Sequence, residues 1–267
     1  MRFYDPSQNP PERLDSAALF PSAAESVACK RCLKMGFLPS VTTVLGVIRE
    51  EYLERWKIGE GIKEYKDNGG DAKAAVSAIF SRESPNAQFG TDVHAVAECH
   101  MTGMPMPELS DEVKAHAAPL LGWLNKNVKK PLYNEILLAS KSLGVAGAID
   151  MAFEHVDGRL ILGDIKVVKF STQYPPKPGL AYRAQLSAYA EMLREHTGEK
   201  FERVSIYVAS PFGWDKKPQM KTFEYKDCYL DAFKSCRDLW MAQVTQEELT
   251  PIDQNKSNKP KFELPKR

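Results

Sequence analysis

The feature that most constrains this chain is a pair of apolar runs, residues 145–156 and 159–168, hinged on Asp157-Gly158. Both runs are rich in Ile, Leu and Val, and an Asp-Gly step between such runs is a hairpin signal. Each run carries an acidic residue in its interior: Asp150 and Asp164. The turn centre lies about seven residues from each aspartate, so antiparallel pairing brings the two carboxylates opposite one another. Within the second strand Asp164 and Lys166 share a face while Ile165 takes the other. Charges inside an apolar strand are costly unless they pair or bind something. A buried Asp164–Lys166 ion pair is one solution. Two converging carboxylates add a demand for a cation, and all-oxygen ligation suits Mg²⁺ or Mn²⁺.

Context distinguishes this triplet, because acidic-any-Lys also occurs at Asp71-Ala72-Lys73, Glu64-Tyr65-Lys66, Glu112-Val113-Lys114, Asp215-Lys216-Lys217 and Glu224-Tyr225-Lys226. Most of those read as solvated helix faces or loop charges. Upstream, three- and four-residue apolar spacing predicts helices over 51–66, 71–82, 88–101 and 111–127. Downstream of Pro131 the pattern becomes strands over 134–140, 145–156 and 159–168, then a helix over 180–195. A strand over 203–209, a loop over 211–218, a strand over 220–225 and a helix over 227–243 complete it. The expected class is α/β, a helical N-terminal region followed by a β-β-β-α-β core with flanking helices. Residues 1–28, rich in Pro, Ser and Ala, read as an extended arm. Residues 29–249 read as one domain, mainly helical over 29–130 and α/β over 131–249. Residues 250–267, with Lys256, Lys259, Lys261, Lys266 and Arg267 against Asp253 and Glu263, read as a disordered basic tail.

A net charge of +1 over 267 residues gives no global nucleic-acid signature, so a binding surface for DNA would be a local groove. No apolar run reaches the ~18 residues of a membrane span. The N-terminus lacks the basic start and apolar block of an export signal, which sets a cytoplasmic expectation without membrane partners. Five cysteines, an odd number, argue against structural disulfides. No phosphate-binding loop or dinucleotide fingerprint is present, so no nucleotide cofactor is expected.

The runs Gly147-Ala148-Ile149-Asp150 and Gly163-Asp164-Ile165-Lys166, followed by Gln185-Leu186-Ser187-Ala188-Tyr189, resemble the PD-(D/E)xK nuclease superfamily. The likeness spans about residues 39–225 and is closest to the RecB-like branch, which includes phage exonucleases and mitochondrial genome maintenance exonuclease. It implies a restriction-endonuclease-like core whose metal is held by Asp150, Asp164 and the Ile165 carbonyl. Lys166 is then the catalytic lysine, and Gln185 and Tyr189, on one helical face, orient the site. His94, in Gly90-Thr91-Asp92-Val93-His94, resembles the branch's metal-binding histidine. Glu98 and Glu135 are further candidates as ligands or as supports of ligands, with a solvated charge as the alternative for each. Pro39-Ser40-Val41-Thr42-Thr43 resembles a motif ahead of the first core helix. There Ser40 and Thr42 either meet phosphate or simply cap the helix. Lys169, Lys177 and Arg183 form a candidate DNA-contacting rim.

Some members of the branch carry an iron–sulfur cluster held by one cysteine before the core and three after it. Here Cys29 and Cys32 precede the core and Cys228 and Cys236 follow it, which departs from that pattern, and no cluster is expected. The resemblance implies a Mg²⁺- or Mn²⁺-dependent deoxyribonuclease, an exonuclease on single-stranded or free DNA ends. The setting would be phage-type replication or recombination, with proteins of those processes as partners. An endonuclease for flaps, junctions or invading DNA shares the same fold, and a non-catalytic DNA-binding module is the alternative outside enzymes.

Overall fold

The computed structural model describes residues 1–48, 51–81, 86–170, 178–211 and 219–246. The chain is a mixed α/β protein. It begins with β1 (Arg2–Asp5), β2 (Glu12–Asp15) and β3 (Leu38–Pro39), which form a small antiparallel sheet in the order β2-β1-β3. Helices α1 (Ser16–Leu19) and α2 (Glu25–Lys34) lie between β2 and β3, and α3 (Val41–Leu45) follows. The helical region comprises α4 (Glu51–Asp67), α5 (Ala72–Ser81), α6 (Asn86–Thr102) and α7 (Asp111–Asn127). Then come β4 (Val128–Ser140), β5 (Val145–His155), β6 (Leu160–Phe170), α8 (Leu180–Thr197), β7 (Glu202–Pro211), β8 (Gln219–Tyr225) and α9 (Leu230–Thr245).

The main sheet has the order β4-β5-β6-β7-β8. All neighbours are antiparallel except β6 and β7, which run parallel and are joined by α8. A parallel pair needs such a crossover, since a tight turn reverses direction. The sheet is covered on both faces. One core joins Val145, Ile149, Ala152 and Leu162 to Val44 of α3, Leu186 of α8 and Phe233 of α9. The other joins Met151, Phe153, Ile161, Ile165 and Ile206 to Val93 of α6 and Leu120 of α7.

Three sequence expectations change. Residues 1–28 are not an extended arm, because Phe3 is fully buried and its ring lies 6.2 Å from that of Trp240. A four-residue strand is too short to show a period, and its partners Leu14 and Pro39 are distant in sequence. The first strand of the main sheet starts at Val128, six residues before the expected boundary, directly from the end of α7. Lys129, Lys130 and Pro131 hid it. They are tolerated because β4 is an edge strand, where lysine and proline discourage further pairing. The Asp-Gly turn is a longer loop. His155 donates its N–H to the Arg159 carbonyl at 2.8 Å, and Gly158 takes φ 89°, a value open to glycine at little cost. Residues 250–267 and most of the 170–179 and 211–218 loops lie outside the described residues.

Candidate metal centre

The β5–β6 ladder pairs Glu154 with Leu160, Phe153 with Ile161, Ala152 with Leu162 and Met151 with Gly163. Continued one step, that register sets Asp150 against Asp164, but the pairing stops there. The Asp150 side chain takes over. Its Oδ2 accepts the Ile165 N–H at 2.9 Å, so a carboxylate replaces the lost strand partner. The pleat of β5 slips at the same point. Ile149 packs into one core and Met151, two residues on, into the other, although alternate residues of an even strand share a face.

Asp164 is 2% exposed. Its Oδ1 accepts from Lys166 Nζ at 2.8 Å and Gln185 Nε2 at 3.4 Å, whereas its buried Oδ2 has no hydrogen-bond partner. A buried carboxylate oxygen without a donor is costly unless a cation completes it. Burial, reinforced by the facing Asp164, pushes the Asp150 carboxyl up to about 6. Burial acts against the Lys166 ammonium, but Asp164 and then Asp150 outweigh it and hold it up at about 12. Lys166 is therefore a fixed positive donor at neutral pH. The ammonium also lies over the Tyr182 ring, 5.2 Å from its centroid.

On the other side of Asp150, His94 of α6 places Nδ1 3.6 Å from Asp150 Oδ2 and 3.8 Å from Glu135 Oε1. These separations are too long for hydrogen bonds. One donor atom from each of His94, Glu135 and Asp150 falls within 4.8 Å of the others. Oxygen and nitrogen atoms around one ion at about 2.1 Å sit at comparable mutual distances, so the set fits a divalent cation. Burial lowers the His94 imidazole and the two carboxylates raise it, and the carboxylates prevail. Glu135 falls opposite Asp150 in the β4–β5 register that pairs Asn134 with Met151 and Ile136 with Ile149. Its φ of 46° is left-handed, a conformation that costs a side-chain-bearing residue roughly 1–2 kcal/mol.

Two glycines let other elements close on the site. A Cβ on Gly147 would lie 2.8 Å from Tyr189 Cε1, so glycine there seats the buried tyrosine beneath β5. Burial, with Asp150 and Asp164 adding to it, drives the Tyr189 phenol well above its ordinary value and keeps it neutral. At Gly90 a Cβ would be 4.0 Å from Val167 Cβ, which marks where α6 approaches β6. Between them opens a cleft of ≈ 530 Å³ lined by Gly90, Thr91, His94, Glu98, Glu135 and Lys166, among others.

The structure thus brings His94, Glu135, Asp150, Asp164, Ile165, Lys166, Gln185 and Tyr189 into one neighbourhood. Glu98 lines the cleft, but both Glu98 and Asp164 lie outside the three-residue ligand group. Ser40 caps α3, accepting the Thr43 N–H at 2.9 Å and meeting Thr42 Oγ1 at 3.0 Å, and is 3% exposed. Capping accounts for the Ser40 hydroxyl, whereas Thr42 is exposed. Arg183 donates to the Pro178 carbonyl and the Tyr229 hydroxyl, with its guanidinium over the Tyr225 and Tyr229 rings. Lys177 and the Lys169 side chain lie outside the described residues. Cys29 and Cys32 are buried core thiols, and among the described residues no candidate metal group includes a cysteine. Nothing in the residue pattern around Glu135 signals its strained backbone, φ 46°. The link between Tyr182 and Lys166 could have been suspected, because Tyr182 stands three residues before Gln185.

No family model matches the sequence, and no curated protein matches it. Among solved structures, a candidate exonuclease from Eubacterium rectale aligns with 73% of this chain and 82% of its own, at 15% identity and a TM-score of 0.42. The protein SSO0001 aligns with 76% of this chain and 84% of its own, at 12% identity and a TM-score of 0.33. Likenesses this distant leave the activity to be argued from the site. No helix among the described residues is long and apolar enough to cross a membrane.

Proposed function

We propose that this chain is a metal-dependent nuclease of the PD-(D/E)xK type that hydrolyses phosphodiester bonds in DNA, working from single-stranded or free ends. The observation that carries this reading is the opposition of Asp150 and Asp164 where β5 and β6 part, with Asp164 Oδ2 buried and unpartnered. A structural ion pair alone would need only Asp164 and Lys166. It leaves unexplained a second carboxylate on the facing strand, raised by burial, and the approach of His94 and Glu135 to it.

His94, Glu135, Asp150 and Asp164 would hold Mg²⁺ or Mn²⁺, with the Ile165 carbonyl as a further oxygen donor; the imidazole shifts the preference toward Mn²⁺. Such an ion acidifies water and neutralises charge on a scissile phosphate. The rest belongs to the chain's own groups. Lys166, steadied by Asp164, offers N–H donors to a phosphate oxygen or to the attacking water. Gln185 donates to Asp164 and fixes the carboxylate plane. The Ile165 N–H anchors Asp150 so that its carboxylate stays in place as the cleft fills. The helix α6 walls one side of the cleft through Gly90, Thr91, His94 and Glu98. Such an enzyme would act in the cytoplasm, in phage-type replication or recombination, beside proteins of those processes.

The test is digestion of 5′- and 3′-end-labelled single- and double-stranded DNA with Mg²⁺ or Mn²⁺, alongside closed circular single strands. Stepwise release from linear ends with the circle intact supports an exonuclease; cleavage of the circle makes it an endonuclease. Binding without cleavage under either metal, or cleavage that survives both Asp164→Ala and Lys166→Ala, overturns the site assignment.

A further inference from the structure

Helix α8 presents Tyr182, Gln185 and Tyr189 at spacings of three and four residues, so the three side chains form one stripe. Each meets a different part of the site. Tyr189 packs beneath Gly147 on the strand that carries Asp150, and Gln185 donates to Asp164. Tyr182 lies one turn nearer the N-terminus of α8, with its ring against the Lys166 ammonium at 5.2 Å. Gln185 and Tyr189 are buried, whereas Tyr182 is only half-buried, where the helix reaches the cleft.

We propose that Tyr182 is a positioning residue that holds the Lys166 ammonium between its ring face and Asp164. The physical case rests on what Lys166 needs. A lysine side chain has four rotatable bonds, and a single carboxylate contact leaves the ammonium free to swing about that oxygen. The electron-rich face of an aromatic ring attracts the cation from a second direction without taking one of its hydrogen-bonding protons in a strong bond. Asp164 Oδ1 engages one N–H at 2.8 Å, so the ring restricts the charge while donor capacity remains for a phosphate oxygen or water. A second carboxylate in Tyr182's place would consume that capacity and add negative charge where Asp150 and Asp164 already face each other. The half-buried setting, with Lys166 20% exposed, keeps the pair out of bulk water, where cation–ring attraction is weak.

This role rests on the nuclease reading for its effect on turnover, but the restraint on Lys166 is measurable without it. The protein and its Tyr182→Phe and Tyr182→Leu variants are treated with acetic anhydride, and the acetylation rate of Lys166 is read by mass spectrometry. Tyr182→Leu, which stays apolar but removes the ring, is expected to raise that rate about 2- to 5-fold, while Tyr182→Phe, which keeps the ring, matches the parent. Metal-dependent cleavage of a single-stranded oligonucleotide is then expected to show kcat lowered about 3- to 10-fold in Tyr182→Leu with KM within twofold, and restored in Tyr182→Phe. Equal labelling in all three proteins overturns the proposal. A raised KM with unchanged kcat also overturns it and makes Tyr182 a surface on which a base stacks. If the parent cleaves no DNA with either metal, the nuclease reading fails while the labelling result still decides whether Tyr182 restrains Lys166.

Discussion

Replacing Asp150 by Asn tests the electrostatic cost built into the metal-free site. The Asp150 carboxyl is raised from 3.8 to about 6, which corresponds to about 3 kcal/mol once the group is ionised in the fold. The sign follows from proton linkage. A folded-state value above the unfolded one means that the native protein holds the proton more tightly between pH 3.8 and about 6. Stability therefore falls as pH rises through that window, and the full penalty is present above it. Asparagine keeps an oxygen acceptor for the Ile165 N–H but carries no charge against Asp164. In EDTA at pH 8, Asp150→Asn is expected to unfold up to about 3 kcal/mol later than the parent, a rise in Tm of about 5–10 °C for a chain of this size. At pH 4 most of that difference disappears. Adding Mn²⁺ at pH 8 raises the parent's Tm by mass action and leaves the variant nearly unmoved. Thermal melts under the four combinations of pH and metal read all of this. A variant less stable than the parent at pH 8 in EDTA, or a gain that persists unchanged at pH 4, would refute the reasoning.

Other substitutions probe the rest of the site. Gly147→Ala sets a Cβ 2.8 Å from the buried Tyr189 ring, and overpacking of this kind costs roughly 1–3 kcal/mol; a denaturant midpoint matching the parent would contradict the close packing described. At Glu135, whose φ is 46°, Glu135→Gly should be about 1 kcal/mol more stable than Glu135→Ala in urea melts, the reverse of the usual order within strands. Both changes should weaken Mn²⁺ binding in calorimetry. Lys166→Ala is expected to lower kcat at least about 100-fold while Mn²⁺ still raises Tm; a protein that lost ion binding and kept turnover would reverse the assigned roles.

The hairpin was legible because its signal is local: a turn, two apolar runs and one aspartate in each. The Gln185/Tyr189 face was legible for the same reason, since helical spacing alone puts both on one side. Glu135 was ambiguous because its importance depends on the β4 register and on a backbone angle, neither of which residue type reveals. The buried N-terminal sheet escaped because Phe3 finds Trp240 across almost the whole chain, and no window of sequence contains both. The hydroxyls of Ser40 and Thr42 had a capping and a phosphate reading. The fold shows capping geometry for Ser40, whose side chain turns into its own helix, and leaves Thr42 exposed.

The short pairing between β5 and β6 has a mechanical consequence. Ten residue pairs join β4 to β5, ten join β6 to β7 and seven join β7 to β8, but only four join β5 to β6. The sheet is thus two plates meeting along a brief seam that starts at the Asp157-Gly158 loop and ends at Met151 and Gly163. Asp150 and Asp164 sit on the two lips just past that end, where a small angular displacement about the seam changes their separation most. A cation held by both lips would act as a clasp, tying the two plates together just past the end of the seam.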